Sequence, residues 1–366
     1  MFAITGKKRY NNKKFAEVIM KLPPQWKDVP ILTIKDLSAQ TGYSVGTISR
    51  VLNNQPNVSQ KARDTILRAA EECGFQLNAN AKQLKQQHSN SILVLVKGTH
   101  NKVFALLVES IQDRIAETSY SLVVDYMDES ENEVLRGLQL CREKKPLGIL
   151  FLGGDRENFL GDFERIHMPG VLVTNDAANF PFPNLSSVSS DDKLAGKIAI
   201  EHLIGLGHSK IAIIAGDHTR SDIGRLRFAG AMEAFREHGI VFDLQMDSET
   251  VRYTCQDGYN AAQRLLERGR EFTAIFAMSD VMAVGAIRAL RDAGKRVPED
   301  ISVVGFDGLE LGEYTIPRLA SVSQNLKELA ERSFAMLLDN IESNRTARYE
   351  VLPVSLLDRE SARKID

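Results

Sequence analysis

The sequence is poor in the features that would define a secreted, membrane or catalytic protein. Only three of the 366 residues are cysteine. Cys73, Cys141 and Cys255 are odd in number and widely spaced, which argues against a disulfide framework and for a reducing compartment. No apolar run approaches the ~18 residues of a membrane-spanning helix. The opening stretch MFAITGKKRYNNKKF places lysines where a signal peptide needs apolar residues, so a cytoplasmic protein is expected. No GxGxxG follows a first strand, and no P-loop or GxSxG is present. The seven histidines are scattered; His202 and His208 have neither cysteine nor carboxylate at zinc spacing. An enzyme, a metal site and a cofactor are therefore not expected.

What remains is an ordinary globular composition, 43% hydrophobic and 26% charged, in a chain long enough for two or three domains. The small net charge of −2 hides an asymmetry. Residues 1–90 hold 14 of the 46 Lys/Arg and 6 of the 48 Asp/Glu, leaving 32 basic against 42 acidic side chains in the rest. A basic head on an acidic body is the footprint of a chain that meets a polyanion at one end.

Residues 1–30 are basic and carry Pro23, Pro24 and Pro30, which predicts an arm with at most one short helix near Phe15–Leu22. From Thr33 the pattern sharpens. Thr33 is suited to cap a helix carrying Ile34 and Leu37 on one face, with Asp36 in its first turn. Gly42 can supply a left-handed turn. Ser44 caps a second helix, Val45–Asn53, whose Val45, Ile48, Val51 and Leu52 recur at helical spacing. Pro56 breaks the chain. Ser59 caps a third helix, Gln60–Cys73, with Ala62, Ile66, Ala69 and Cys73 inward and Gly74 as its stop. Three short helices with a tight turn between the first two form a helix-turn-helix plan, in which the second helix enters the major groove of DNA.

The stretch TIKDLSAQTGYSVGTISRVLNN followed by VSQKAR resembles, without a gap, the head of the LacI/GalR family of transcriptional regulators. That resemblance implies base reading by Val45, Gly46 and Arg50, the arginine being able to give guanine two hydrogen bonds. It implies phosphate contacts from Thr33, Ser44, Thr47, Ser49, Asn53 and Ser59. Gly46 departs from the pattern, since it offers no side chain to a base. The segment FQLNANAKQLKQQHSNS is similar to the family's hinge at Asn78, Ala81 and Leu84, with Leu77 in place of a proline and Lys82 in place of an arginine. The family implication is a segment helical only on DNA, whose Leu84 wedges into a minor-groove step.

After Asn90, apolar runs alternate with amphipathic helices. Strands are expected at Ile92–Val96, Ser121–Asp125, Gly148–Leu152, Val171–Thr174, Lys210–Ala215, Thr273–Ala277 and Ile301–Phe306. Their nearly continuous apolar character predicts parallel strands covered on both faces. Helices at Phe104–Glu117, Lys193–Leu206, Leu226–His238 and Gly258–Arg268 alternate with them, which predicts doubly wound sheets, two side by side. Several strands end in Thr174-Asn175-Asp176, Gly216-Asp217, Ser279-Asp280 and Phe306-Asp307, where ligands of such sheets bind.

The segments EHLIGLGHSKIAIIAG, RLRFAGAMEAFREHGI, TAIFAMSDVMAVGAIRAL and RVPEDISVVGFDG resemble the same family's sensor, a type I periplasmic-binding-protein-like fold of two subdomains. The resemblance implies a small-molecule effector, expected to be a saccharide, held by Arg227, Asp307 and an aromatic Tyr253, with Asn101, Phe104, Thr174, Ser279 and Gln324 lining the rest. Ser279 stands for the usual Asn, Thr174 for a frequent Asp, Gly308 for a second Asp and Val103 for an aromatic, which implies an altered but polar effector.

The resulting organisation is a basic extension (1–30), a helix-turn-helix domain (31–77), a hinge (78–90) and an effector-binding and dimerisation domain (91–366). The final segment LPVSLLDRESARKID aligns with the family's last strand and carries no leucine heptads, so a homodimer on a pseudo-palindromic operator is expected rather than a coiled-coil tetramer. The expected function is a sequence-specific DNA-binding regulator, a repressor released or engaged by a small sugar-like effector. The alternative is a global carbon-catabolite regulator controlled by a phosphocarrier protein corepressor.

Overall fold

The structure is a computed structural model that describes residues 34–52, 56, 58–73, 90–98, 101–216, 222–343 and 345–365. The chain divides into two compact units, residues 1–87 and 88–366. The expected arm helix, Thr33, Asn53, Gly74 and the hinge residues Asn78, Ala81 and Leu84 lie outside the described residues.

The first unit contains α1 (Ile34–Thr41), α2 (Val45–Leu52) and α3 (Gln60–Glu72). Gly42 takes φ +74° at the turn between α1 and α2, the left-handed conformation that a glycine adopts without steric cost. Ser44 Oγ accepts the Thr47 amide at 3.2 Å, and Ser59 Oγ accepts that of Ala62 at 3.4 Å. Both serines thus satisfy amides that the first helical turn leaves open. Leu37, Ile48, Val51, Ile66, Ala69 and Ala70 close a small core. Cys73 is only half-buried and turns its thiol to Gln40, a correction to its expected inward place. It follows α3 where the apolar face meets the helix end.

The second unit alternates strands and helices through two six-stranded sheets. The first is ordered β11-β5-β4-β3-β1-β2, from β1 (Ser91–Lys97), β2 (Ser121–Met127), β3 (Gly148–Leu152), β4 (Gly170–Thr174), β5 (Leu185–Ser190) and β11 (Tyr349–Leu352). The second is ordered β12-β10-β9-β8-β6-β7, from β6 (Ile211–Ala215), β7 (Ser248–Thr250), β8 (Ala274–Ala277), β9 (Ser302–Asp307), β10 (Ala320–Gln324) and β12 (Val354–Leu357). All pairings are parallel except β10 with β12. The central strands are buried along nearly their whole length, which is why β1, β3 and β6 carry apolar runs and β9 is apolar between its ends apart from Gly305.

Eight helices of the unit matter to the sites: α4 (Lys102–Ile115), α5 (Glu133–Lys144), α6 (Arg156–Asp162), α7 (Asp192–Gly205), α8 (Asp222–Glu237), α10 (Cys255–Glu267, after the short α9, Leu244–Asp247), α11 (Asp280–Asp292) and α12 (Leu326–Ser343). The chain crosses from the first lobe to the second between β5 and α7, returns between β10 and α12, and crosses again between β11 and β12. Strand β5, LSSVSS, is fully buried although polar. Three of its four hydroxyls are hydrogen-bonded. Ser187 Oγ donates to Asp176 at 3.1 Å, Ser186 Oγ accepts from Asn340 at 3.0 Å, and Ser190 Oγ donates to Gln324 at 3.2 Å.

Candidate functional site

The solvent face of α2 is built by its own periodicity. Ile48 and Val51 turn into the small core, which leaves Ser44, Val45, Gly46 and Arg50 exposed, with Thr47 and Ser49 half-buried at the edge. Val45 is 41% exposed, an apolar side chain held in water rather than in the core. A methyl group on Gly46 would approach nothing closer than Ser44 Oγ, at 3.9 Å. Ser59 is exposed at the start of α3. The described sequence-predicted residues of α2 therefore reach solvent, with short polar side chains around Val45, Gly46 and Arg50. Hydroxyls and an N-terminal helical turn suit phosphate oxygens, and a guanidinium suits a guanine edge.

The second cluster lies where the strands of the two lobes end. Thr174 closes β4 at φ +78° and Asp307 closes β9 at φ +114°. A β-branched or acidic side chain in this region is strained by about 1–3 kcal/mol, and such strain collects at ligand sites. Asp307 is 5% exposed. Gln324 Nε2 donates to its Oδ1 at 2.7 Å, Ser279 hydrogen-bonds it, and Arg227 acts on its charge. Burial pushes its carboxyl up to about 6, against the pull of Arg227. Behind it, Asp280 accepts from Ser321 Oγ and the Leu309 amide, both at 2.6 Å. Burial and the Asp307 charge push Asp280 up to about 8.

Arg227 is 5% exposed on α8. Its Nε donates to Asp192 Oδ1 at 2.7 Å and its Nη1 to the Met278 carbonyl at 2.9 Å. The guanidinium also lies 3.5 Å above the Phe306 ring, a favourable cation–π geometry. Burial works against this charge, but Asp192, Tyr253 and Asp307 outweigh it and the guanidinium pKa is raised. Helices α7 and α8 meet closely enough to make that contact because Gly196 and Gly230 face them. A Cβ on Gly230 would sit 1.8 Å from the Lys193 carbonyl, and one on Gly196 2.0 Å from that of Arg227. The Tyr253 ring covers Gly216, where a Cβ would fall 2.1 Å from its hydroxyl.

The structure thus brings Arg227, Tyr253, Ser279, Asp307 and Gln324 into one network on the second lobe. Thr174 and Phe104 stand at the strand ends of the first lobe. Thr174 Oγ1 donates to Asn175, whose Nδ2 reaches the Gly154 carbonyl, and the Phe104 ring occupies the space over Gly153. Asn101 acts locally and caps α4, accepting the Val103 amide at 3.0 Å. Sequence reasoning missed Asp192 and Ser190, and named Asn175 and Phe306 only as strand-end residues without their partners Gly154 and Arg227. The adjacent Asp191-Asp192 pair was a visible signal, but Asp192's partner lies 35 residues away. The network is shut tightly on itself. A cavity of about 400 Å³ lies instead beside two of the crossovers, bordered by Leu106, Leu309, Leu326, Pro353 and Val354, and of the expected cleft residues Gln324 borders it. Among the described residues no three His, Cys, Asp or Glu side chains form a metal cluster, and no helix is long and apolar enough to cross a membrane.

Comparison with known proteins gives this geometry a context. Residues 33–78 match the family described as bacterial regulatory proteins, lacI family, and residues 200–362 match the periplasmic binding protein-like domain. The chain is 32% identical over 333 residues to the HTH-type transcriptional regulator MalR of Clostridium butyricum, covering 90% of this chain and 99% of that one. The crystal structure of the lac repressor dimer bound to operator and the anti-inducer ONPF aligns at TM-score 0.76 and 26% identity, covering 91% of this chain and 99% of that one. The complex of the transcriptional regulator CelR with cellobiose aligns at TM-score 0.68 and 28% identity, covering 90% and 100%. With its helix-turn-helix head and two-lobed α/β body, the chain belongs to the lacI family of bacterial DNA-binding transcriptional regulators.

Proposed function

We propose that this regulator is a cytoplasmic, non-catalytic homodimeric repressor that reads a pseudo-palindromic operator with α2 and releases or engages it in response to a small neutral saccharide between the lobes. Arg50, Val45 and Gly46 face the base edges, while Ser44, Thr47, Ser49 and Ser59 hold phosphates, a role the family resemblance extends to Thr33 and Asn53. Asn78, Ala81 and Leu84 form the hinge contact. In the body, Asp307 accepts two hydroxyls of the effector, Arg227 donates to a ring or hydroxyl oxygen, and Tyr253 stacks on the sugar face. Thr174, Ser279, Gln324 and Phe104 complete the lining, and Asn101 holds the start of α4 beside them.

The observation that carries this reading is the buried network of Arg227, Asp192, Asp307 and Gln324 under two strained strand ends. Arg227 is matched by Asp192, and Asp307, which accepts from Gln324 and Ser279, keeps further lone pairs for a ligand that donates hydrogen bonds. Gln324 and its partner Ser190 sit at two of the three crossovers. A ligand that reorganises Asp307 therefore acts on the segments about which the lobes rotate, and rotation of the first lobe moves the hinge. Coupling of this kind amounts to about 1–3 kcal/mol per site.

Calorimetric titration of the full chain with mono- and disaccharides tests the reading. Heat from one saccharide, absent in an Asp307→Asn variant, supports it. Silence toward every sugar, with binding of a phosphocarrier protein, would replace the sugar with a protein corepressor.

A further inference from the structure

We propose that Arg252 and Glu129 form a clasp across the mouth of the cleft, which biases the lobes toward closure and positions Tyr253. This extends the reading of the cleft as an effector site. Arg252 Nε lies 2.7 Å from Glu129 Oε1. Among the described residues it is the one ion pair that joins the two lobes. Glu129 follows β2 and Arg252 follows β7, and these are the outer edge strands of their sheets. The three crossovers leave from β5, β10 and β11, toward the other end of each sheet. A rotation about the crossovers moves the β2 and β7 edges furthest, so a contact there has the longest lever arm against opening.

Both arms of the clasp are stiff. On the first lobe, Asp128 Oδ1 accepts the Ser130 amide at 2.9 Å and its hydroxyl at 2.6 Å, and the Glu131 amide returns to the Asp128 carbonyl. The Ser130 hydrogen bonds hold Asp128 below the usual carboxylate range, and the Arg252 charge adds to this, so the guanidinium faces an acidic loop rather than one side chain. On the second lobe, the Val251 amide donates to the Ala215 carbonyl at 2.9 Å and the Thr254 amide to that of Arg252 at 2.8 Å. Thr254 Oγ1 then caps α10 through the Asp257 amide. Tyr253 lies between these fixed points.

Arg252 is 67% and Glu129 46% exposed, so the pair is screened by salt. It is a bias on closure, not a lock. An exposed pair supports a change of about two- to five-fold in the closed population.

Hydrogen exchange on the full-length protein tests the clasp without any ligand. Glu129→Arg and Arg252→Glu should each speed exchange of the amides of Ser130, Glu131, Tyr253 and Thr254 by about two- to five-fold, leaving the central strands of both sheets unchanged. The double charge swap should restore protection, and high salt should bring the native chain to the level of the single variants. A purely local structural role would not be rescued by the swap. Unchanged exchange in the single variants, or no rescue in the swap, would overturn the proposal. The cleft reading itself is tested separately, by Asp307→Asn in saccharide titrations.

Discussion

Gly46 should be a residue that the fold does not want. It is the second residue of α2, is exposed, and has open space where a side chain would go, the nearest atom being Ser44 Oγ at 3.9 Å. A glycine in a helix interior costs about 1 kcal/mol relative to alanine, which bounds the cost in this first turn from above. Gly46→Ala should therefore stabilise the head by up to about 1 kcal/mol, slowing exchange of the amides of α1 to α3 by up to about five-fold in the full chain. If the bare backbone lets α2 approach the base edges, the same methyl group should weaken operator binding by about 1–3 kcal/mol, the range of one lost base contact. Non-specific binding rests on phosphates and should hardly change. Gel-shift titration of native, Gly46→Ala and Arg50→Ala proteins on operator and on unrelated DNA reads these terms apart. Slower exchange without loss of operator affinity would refute the role in recognition. Faster exchange would refute the reading of the open space.

Three further expectations follow from the body. Arg227→Ala strands Asp192 in the interior and should cost about 3–5 kcal/mol of stability by thermal denaturation, most of it recovered by adding Asp192→Asn; the double variant should keep operator affinity and lose effector response in gel shifts. Gly230→Ala should destabilise by about 1–3 kcal/mol in denaturant titrations, because its methyl group falls on the Lys193 carbonyl 1.8 Å away and must part α7 from α8. The Asp307 carboxyl is raised to about 6 in the fold, above the unfolded value near ~3.9. The fold thus takes up a proton that the unfolded chain does not, so its stability should rise as the pH falls from about 6 toward ~4. Effector hydroxyls bind the ionised form, so effector affinity should fall over the same window in calorimetry, and Asp307→Asn should abolish that slope.

The head was legible because its signals are local. Caps Ser44 and Ser59, the turn at Gly42 and the spacing of Ile48 and Val51 all act within a few residues. The central strands were legible because burial on both faces demands apolar runs. Strand β5 was not, because its serines find partners in Asp176, Asn340 and Gln324 that are distant in sequence. Strand β7 has three residues and β11 and β12 four each, too short for a periodic signal. In the cleft, Arg227, Asp307 and Gln324 were read through family resemblance, whereas Asp192 and Phe306 become partners of Arg227 only when α7, α8 and β9 converge. The positive φ of Thr174 opposes what a β-branched residue suggests, so no local rule would have given it. Asn101 is the reverse case, since a cap at the start of α4 was readable locally.

The most direct test of the account is a footprint of the full-length protein on the DNA upstream of its own gene, with and without a panel of saccharides. The account predicts a protected pseudo-palindrome whose occupancy changes with one sugar, and a change that disappears in the Arg227→Ala/Asp192→Asn variant. A protected site that no sugar alters, or a sugar response that survives in that variant, would contradict it.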